Sequence, residues 1–338
     1  MTQHEQSLLS VRDLVVRYPA RGNSRVPLTA VRGVSLDIEA GGIYGLVGES
    51  GSGKSSLAHA IIQLAPPASG QVMFKGQNLA ALNKSQINPL RRHIQLVFQD
   101  SLASLSPRRS ILQTLLEPLD HFRIGAAASR TDRAAGALET VGLDPQLRHR
   151  YPRELSGGQR QRVALARALV AGPELIIADE PLSSLDVPVQ AKMVELILEL
   201  REKLGIAFLF VSHDLSVVRR LADTIGVMYL GKIVECTDTA TLFARPAHPY
   251  TRSLLAAVPV ADPGHPKPAV LEGEPPSPLT PPSGCVFHMR CPEKLELCQS
   301  VEPGEVAIPA HNGSPVNNQE LKTSSHRVRC HLWNMTNT

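Results

Sequence analysis

The sequence predicts an α/β fold in which a parallel sheet is covered by helices on both faces. Short continuous apolar runs occur three times, as "IYGLVG" (43–48), "ELIIADE" (174–180) and "IAFLFVSHD" (206–214). Such runs are typical of strands buried on both faces. Between the last two lies "VQAKMVELILELREKLG", whose apolar residues recur at helical spacing. Apolar strands that alternate with helices indicate a parallel sheet.

The remaining elements follow from local patterns. "LLSVRDLVVRY" (8–18) and "VRGVSLDIEAGG" (31–42) alternate apolar and polar residues, which predicts strands. "SSLAHAIIQLA" (55–65) has helical spacing, and residues from about 100 to 165 are mostly helical in pattern.

The composition changes at about residue 241. Eleven of the 27 prolines lie between Pro246 and Pro282, and proline breaks both helices and sheet ladders. We expect one large domain over residues 1–240. The Pro-rich extension over 241–338 is expected to hold a short helix at "YTRSLLAAV", an extended linker and a small Cys-containing module.

Charge and targeting signals exclude few classes. The net charge is +4, and the charged residues are scattered along the sequence. This fits an anionic ligand or a membrane-associated partner and gives weak support for binding of nucleic acid. A solvated surface is the simpler explanation. The N-terminal "MTQHEQSLLSVRD" lacks a signal-peptide core, and no apolar run reaches the roughly 18 residues of a membrane span. We therefore expect a cytosolic chain.

A phosphate site is predicted at Gly48–Ser55, "GESGSGKS", which fits G-x-x-x-x-G-K-[ST] between a strand and a helix. Its glycines allow backbone N–H groups to point into one concavity, and the following helix N-terminus adds partial positive charge. Lys54 supplies a charge for the outer phosphates and Ser55 a hydroxyl for Mg²⁺. A Gly/Ser-rich turn that happens to contain Lys is disfavoured, because strand and helix flank the loop in register.

Polar residues that follow the other apolar runs point to hydrolysis. Asp179 and Glu180 come at a strand end, where ligands bind in open α/β sheets. Asp179 suits Mg²⁺, and Glu180 suits the orientation and deprotonation of an attacking water. The pair could instead be a turn or a helix cap, but the phosphate loop upstream favours catalysis. Gln99 and His213 also follow apolar runs and could reach the same region.

A second anion-binding helix end is predicted at "LSGGQ" (155–159), which precedes the helical "RQRVALARALV". Ser156 can cap this helix, and the glycines leave its N-terminus open. One nucleotide needs only one anion-binding helix end within a chain. The second such end therefore suggests contact with a nucleotide that is held by a partner chain. A plain Ser-Gly-Gly cap is the alternative.

The motifs "GESGSGKSS", "VFQD", "LSGGQRQRVALARAL", "LIIADEP", "SSLD" and "VSHD" resemble, in order and spacing, those of ABC-transporter ATP-binding subunits. The resemblance covers residues 8 to about 240. It implies a P-loop NTPase fold with a RecA-like core, an antiparallel β subdomain and a helical subdomain at about 100–165. It also implies hydrolysis of ATP, with Mg²⁺, in a sandwich of two cassettes.

The resemblance implies a role for each matching residue. The residues expected to bind ATP are Tyr18, Gly48, Glu49, Ser50, Gly51, Ser52, Gly53, Lys54, Ser55 and Ser56, and Tyr18 is expected to stack on adenine. The expected catalytic residues are Glu180, His213 and Gln99. Mg²⁺ is expected to bind Ser55, Gln99 and Asp179. Ser156, Gly157, Gly158 and Gln159 would serve the partner's nucleotide, and Ser183–Asp186 resemble the D-loop, with Asp186 at its end.

A narrower resemblance to oligopeptide and dipeptide importers comes from "RRHIQLVFQDSLASLSPRRSI", "ARPAHPYTRSLLAAVP" and "PPSGCVFHMRCPEKLELC". It implies the F-type partner in a pair of different ATPases, with two permease subunits, an extracytoplasmic binding protein and peptide uptake at the cytoplasmic face of the membrane. No nucleic-acid partner is expected. Ser101, Ser106 and Pro188 depart from the usual residues and leave the contact with the membrane subunits open.

Two alternative functions stay open. One is the ATPase of a related importer for nickel, glycosides or other small solutes. The other is a soluble cassette ATPase in DNA repair or translation. That class usually joins two cassettes or inserts a coiled coil, and this sequence shows neither.

The tail holds four cysteines in the spacing C-x₅-C-x₆-C-x₃₁-C: Cys285, Cys291, Cys298 and Cys330. A reducing compartment favours metal over disulfides, and the close knuckles typical of zinc sites are missing. Wider spacing occurs among iron–sulfur ligands, and the tail resembles those of transporters with a [4Fe–4S] cluster. Zinc and packed free thiols stay open, as do a structural and a redox-sensing role. Cys236 is expected to be a packing residue.

Overall fold

The computed structural model describes residues 7–20, 27–99, 104–258, 273–308 and 326–334. The strands, in chain order, are β1 (Ser7–Tyr18), β2 (Leu28–Glu39), β3 (Ile43–Val47), β4 (Ser69–Phe74), β5 (Gln77–Asn78), β6 (Ile94–Val97), β7 (Leu175–Asp179), β8 (Ala207–Ser212), β9 (Thr224–Tyr229), β10 (Lys232–Asp238), β11 (Val306–Ala307) and β12 (Arg327–Val328). The helices are α1 (Lys54–Ile61), α2 (Lys84–Leu90), α3 (Ile111–His121), α4 (Arg130–Thr140), α5 (Gly157–Leu169), α6 (Val187–Leu204), α7 (Leu215–Leu221), α8 (Thr239–Ala244), α9 (Pro249–Ala256) and α10 (His331–Asn334). In these ranges, a helix with the length and apolar character to cross a bilayer does not occur.

The larger sheet has eight strands in the order β11-β12-β10-β9-β3-β8-β7-β6. Strands β6, β7, β8, β3 and β9 pair in parallel, and β10, β12 and β11 continue the sheet antiparallel. The predicted α/β fold with a parallel core is confirmed. Its consequence for function is that β3, β6, β7 and β8 all end at the same edge of the sheet.

The central strands lack polar alternation because both of their faces are buried. On β8, Phe208 belongs to one apolar core and Leu209 to the other, and Ile176 and Ile177 of β7 divide in the same way. Helices α5, α6 and α7 cover the first face, while α1 and the smaller sheet cover the second. Each face thereby gains the hydrophobic burial that a continuous apolar run predicts.

The smaller sheet is antiparallel, in the order β2-β1-β4-β5. Its apolar positions alternate as the sequence predicted, with Val11, Val16 and Leu36 fully buried in the core shared with α1. One face of this sheet therefore packs on α1 and on the larger sheet.

Helices α3, α4 and α5 form the predicted helical region through buried residues such as Leu115, Leu138 and Val163. A reciprocal cap begins α3: the N–H of Gln113 donates to Ser110 Oγ at 3.3 Å, and the N–H of Ser110 donates to Gln113 Oε1 at 2.9 Å. Residues 100–103 of this predicted region lie outside the described residues.

The C-terminal extension adds strands to the larger sheet. Strand β12 pairs with β10, with Val328 opposite Glu235 and Arg327 opposite Cys236, and β11 pairs with β12. The predicted short helix forms as α9. The predicted linker falls largely on residues 259–272, which lie outside the described part. The domain boundary at 240 stays a prediction.

A buried carboxylate ties the extension to β10. Glu235 has no exposed surface and accepts the N–H groups of Ala247 and His248, each at 2.8 Å. Its Oε1 also lies 2.8 Å from Nε2 of His326. Burial alone would raise the pKa of Glu235, but these hydrogen bonds outweigh it and lower the pKa. One side chain thus joins three segments of the chain.

Replacing Glu235 with Gln should lower the free energy of unfolding by about 3 kcal/mol, because the amide presents N–H groups to buried donors. Glu305→Gln is the matched control at the same sheet edge. Glu305 is partly exposed and lies 3.4 Å from Arg327, so its replacement should cost less than about 1 kcal/mol. Urea denaturation followed by circular dichroism measures both values. Equal costs would contradict the anchoring role of Glu235.

Candidate active site

The loop between β3 and α1 is held against two other backbone segments. Gly48 and Gly53 have φ angles of +154° and +104°. A Cβ atom on Gly48 would lie 2.1 Å from the carbonyl oxygen of Met228, and one on Gly53 would lie 2.2 Å from that of Ala30. Both positions therefore require glycine on two grounds, the backbone angle and the lack of space.

The lysine of this loop is buried among oxygen atoms. Lys54 Nζ donates to the carbonyl oxygens of Gly48 at 2.8 Å and Glu49 at 2.9 Å, and it lies 3.9 Å from Glu180 Oε1. Burial lowers the pKa of Lys54, and the nearby carboxylates of Glu180 and Asp179 oppose that shift. The ammonium group is thus fixed at the mouth of the loop.

Ser55 and Asp179 come together next to Lys54. Ser55 Oγ donates to Asp179 Oδ1 at 3.0 Å, and His59 Nε2 lies 3.9 Å from Oδ2. Burial raises the pKa of Asp179, while the Ser55 hydrogen bond and the charge of His59 act against it. A hydroxyl and a carboxylate are the hard oxygen donors that Mg²⁺ prefers, so this donor set fits that ion.

Glu180 is the point at which the polar residues converge. Its Oε2 accepts a hydrogen bond from Gln99 Nε2 at 3.1 Å and lies 3.2 Å from His213 Nδ1. Its φ of +45° is unusual for a residue with a side chain, and such angles concentrate at functional sites. The backbone N–H of Glu180 donates to the Val211 carbonyl at 3.0 Å, which holds this conformation against β8.

A cleft opens over these residues. Its lining includes Thr29, Arg32, Ser50, Lys54, Ser55, Gln99, Glu180, Pro278 and Pro281. Tyr18 does not line this cleft. Its partner across the β1–β2 ladder, Leu28, does line it.

The helix N-terminus at residues 156–159 forms as predicted, but it lies outside the lining of the cleft over Lys54, and its anion-binding role stays a prediction. Ser156 caps α5, accepting the N–H of Gln159 at 3.3 Å and donating its own N–H to Gln159 Oε1 at 2.9 Å. Among the described residues, those that line the cleft over Lys54 include none of residues 156–159. Asp186 precedes α6 at its N-cap position.

The tail cysteines are mostly buried, with Cys291 partly exposed. Burial, with smaller contributions from Cys285, Cys291 and Cys298, raises the pKa of Cys330 to about 12. The N–H of Cys285 donates to the Cys298 carbonyl at 2.9 Å. However, across the part of the chain that the structure describes, no three or more His, Cys, Asp or Glu side chains form a group that could hold a metal ion. The predicted iron–sulfur site is therefore not supported by the geometry.

Several residues at the cleft carry no sequence signal. Arg32 is an ordinary arginine of a strand, and Pro278 and Pro281 belong to a run interpreted as a linker. Tyr250 and Arg290 contact Glu49 from the extension. Ser101, one of the residues that differ from the usual residue of the importer family, lies outside the described residues.

Cys236 is buried, as expected of a packing residue, with its Sγ 3.4 Å from the hydroxyl of Tyr44.

Two family descriptions match this sequence. "ABC transporter" matches residues 31–183, and "Oligopeptide/dipeptide transporter, C-terminal region" matches residues 234–298. The second match includes three of the four tail cysteines.

Similar proteins were found in bacteria and among solved structures. The oligopeptide transport ATP-binding protein AppF of Bacillus subtilis is 43% identical over 340 residues, which covers 98% of each chain. A Brucella ovis protein named provisionally as a peptide import ATP-binding protein is 47% identical over 300 residues, covering 88% of this chain and 94% of its own. The ATP-binding cassette MJ0796, solved as a dimer bound to ADP and Pi, is 29% identical with a TM-score of 0.62, covering 68% of this chain and 98% of its own.

Gly53→Ala should weaken nucleotide binding at least about tenfold, because the new methyl group would displace the loop from the Ala30 carbonyl. Gly76→Ala is the matched control. Gly76 also has a positive φ, +79°, and nothing lies within 4 Å of the added Cβ, but it sits in the turn between β4 and β5, outside the cleft lining. Its Kd should stay within about twofold of the wild type. Binding of a fluorescent ATP analogue to the full chain measures both variants, and unchanged binding by folded Gly53→Ala would contradict the role of the close approach.

Proposed function

Since this chain belongs to the ABC transporter ATP-binding proteins, in the group with the oligopeptide/dipeptide C-terminal region, we propose that it is the ATP-hydrolysing subunit of a peptide importer. Similarity to AppF along nearly all of both chains supports peptides as the solute. The observation that carries the catalytic part is the convergence of Gln99 and His213 on one oxygen of Glu180.

Hydrolysis needs a base, and Glu180 is proposed for that role. Gln99 follows β6 and His213 follows β8, the strands on either side of β7, and both contact Glu180 Oε2. Lys54 lies near Glu180 Oε1. This arrangement restricts the rotamers of the carboxylate, so that it can orient and deprotonate a water aligned with the outer phosphate of ATP. His213 and Gln99 are proposed to position the reacting groups.

Nucleotide binding is proposed for the loop from Gly48 to Ser56. Its backbone N–H groups and Lys54 would contact the phosphates, and Tyr18 would stack on the base near Leu28. Ser55, Asp179 and Gln99 would hold Mg²⁺. When bound, the ion neutralises charge on the phosphate oxygens.

The signature residues Ser156, Gly157, Gly158 and Gln159 are proposed to contact a nucleotide on a second ATPase subunit. Their separation from the cleft of their own chain supports this role, and Asp186 would cross the same dimer interface. We further propose two permease subunits and an extracytoplasmic binding protein as partners, with this chain peripheral on the cytoplasmic face of the membrane. Nucleic acid is not proposed as a partner.

Glu180→Gln should reduce ATP hydrolysis by at least about 100-fold, because the amide cannot accept a proton. Nucleotide binding should persist, and peptide uptake by cells should stop. Glu174→Gln is the matched control: Glu174 lies at the opposite end of β7 and pairs with Lys75 at 2.9 Å, so activity should be unchanged. The measurements are phosphate release by the assembled transporter and uptake of labelled peptides.

Three outcomes would overturn this function. Normal peptide uptake in cells that carry Glu180→Gln would show that this chain does not drive peptide transport. Uptake of nickel or a glycoside in place of peptides would identify the chain as the ATPase of a related importer. Co-purification with ribosomes or DNA, and without membrane subunits, would select a soluble cassette ATPase.

For the tail, we propose that Cys285, Cys291, Cys298 and Cys330 bind a [4Fe–4S] cluster. The N–H of Cys285 donates to the carbonyl oxygen of Cys298 at 2.9 Å, which brings two of the four residues together, and the spacing of all four resembles that of cluster-bearing tails. Around a single ion the sulfurs must converge on one point, whereas in a cluster each thiolate binds its own iron and the sulfurs stay further apart. The described residues hold no group for a single metal ion, and the cluster proposed here requires none.

Anaerobically purified chain should contain about four iron and four sulfide per molecule, and Cys330→Ser should lower both. Cys236→Ser is the control, because Cys236 is buried beside Tyr44 and is not a proposed ligand. Iron-free protein with an intact tail would contradict the cluster proposal. Stoichiometric zinc would show that the four cysteines form a zinc site instead.

A further inference from the structure

The C-terminal extension makes a charged contact with the phosphate loop. Arg290 Nη1 donates to Glu49 Oε2 at 2.7 Å, and Nη2 donates to Oε1 at 3.0 Å. The two residues are 241 positions apart. The Arg290 side chain is 5% exposed and that of Glu49 is 26% exposed. A two-bond guanidinium–carboxylate pair that is largely shielded from water is geometrically specific and stronger than an exposed ion pair.

A second residue of the extension holds the backbone of Glu49. The N–H of Glu49 donates to the hydroxyl of Tyr250 at 3.0 Å. Tyr250 is fully buried, with its ring 4.6 Å from that of Tyr229 and 5.3 Å from that of Phe287. Because Tyr229 ends β9, beside β3 in the larger sheet, the aromatic group fixes Tyr250 relative to the loop.

Another part of the extension lines the cleft over Lys54. Pro278 and Pro281 line it together with Lys54 and Ser55. Contacts with the nucleotide site therefore come from two separate parts of the extension.

The charge of Glu49 gives the Arg290 contact a function. The carbonyl oxygen of Glu49 accepts from Lys54 Nζ at 2.9 Å, and its side chain adds a negative charge to a loop that binds anions. An unpaired carboxylate there would repel phosphates and compete for Lys54. Arg290 compensates that charge and restricts the side chain, so the loop loses less freedom when the nucleotide binds.

We propose that Arg290 is a positioning residue for ATP, which it serves by neutralising and orienting Glu49, so that the C-terminal extension sets the ATP affinity of the site. Arg290 lies between Cys285 and Cys291, so a change in the backbone of that cysteine loop reaches the phosphate loop through it. The proposal rests on ATP binding by this chain and needs no particular transported solute or metal.

Arg290→Met should raise the Kd of the purified full chain for a fluorescent ATP analogue about tenfold, because the carboxylate is left uncompensated. The double variant Arg290→Met/Glu49→Gln should recover to within about threefold of the wild type, since the repelling charge is then removed. A purely structural role for Arg290 predicts no such rescue. In the assembled transporter the loss should appear in KM for ATP, with kcat nearly unchanged.

Arg252→Met is the matched control. Arg252 lies in the same extension and pairs with Glu293 at 2.7 Å, with both side chains about 40% exposed; its replacement should leave Kd within twofold. If Arg290→Met does not fold by circular dichroism, Arg290→Gln takes its place and must show the same loss and rescue. An unchanged Kd in the folded single variant, or a double variant no tighter than the single one, would overturn the proposal.

Discussion

The candidate site depends on the parallel pairing of β6, β7, β8 and β3. Parallel hydrogen bonding brings the carboxyl ends of these strands to one edge of the sheet. The phosphate loop leaves β3 there, and Gln99, Glu180 and His213 follow the other three strands. The distances of 3.1 Å and 3.2 Å to Glu180 Oε2 are therefore consequences of strand order and register.

The same edge concentrates features that reduce stability. Lys54 and Asp179 are buried, Glu180 has a left-handed backbone, and Gly48 and Gly53 leave no room for a side chain. Such features persist only where the surroundings hold them in place. The two apolar cores on either side of the sheet supply that rigidity, because most residues of the central strands are fully buried.

The extension is joined to the ATPase fold by contacts of several kinds. Strand β12 continues the larger sheet, Glu235 holds His326 and the start of α9, and Arg290 holds Glu49. The last contact places the cysteine-containing segment in direct contact with the loop between β3 and α1 that we propose to bind phosphates. In the proposed role of Arg290, a change in that segment reaches the nucleotide through this one ion pair.

Local patterns of the sequence were enough to determine the fold class, the phosphate loop, the acidic pair and the cap of α5. Each of these features is encoded by neighbouring residues whose spacing reflects a helical turn, a strand or a tight loop. The contacts of Arg290, Tyr250 and Pro278, and the absence of Tyr18 from the cleft lining, were decided only by the tertiary structure. They join residues far apart in the chain, so no local spacing records them. Their geometry depends on how the extension packs against the sheet.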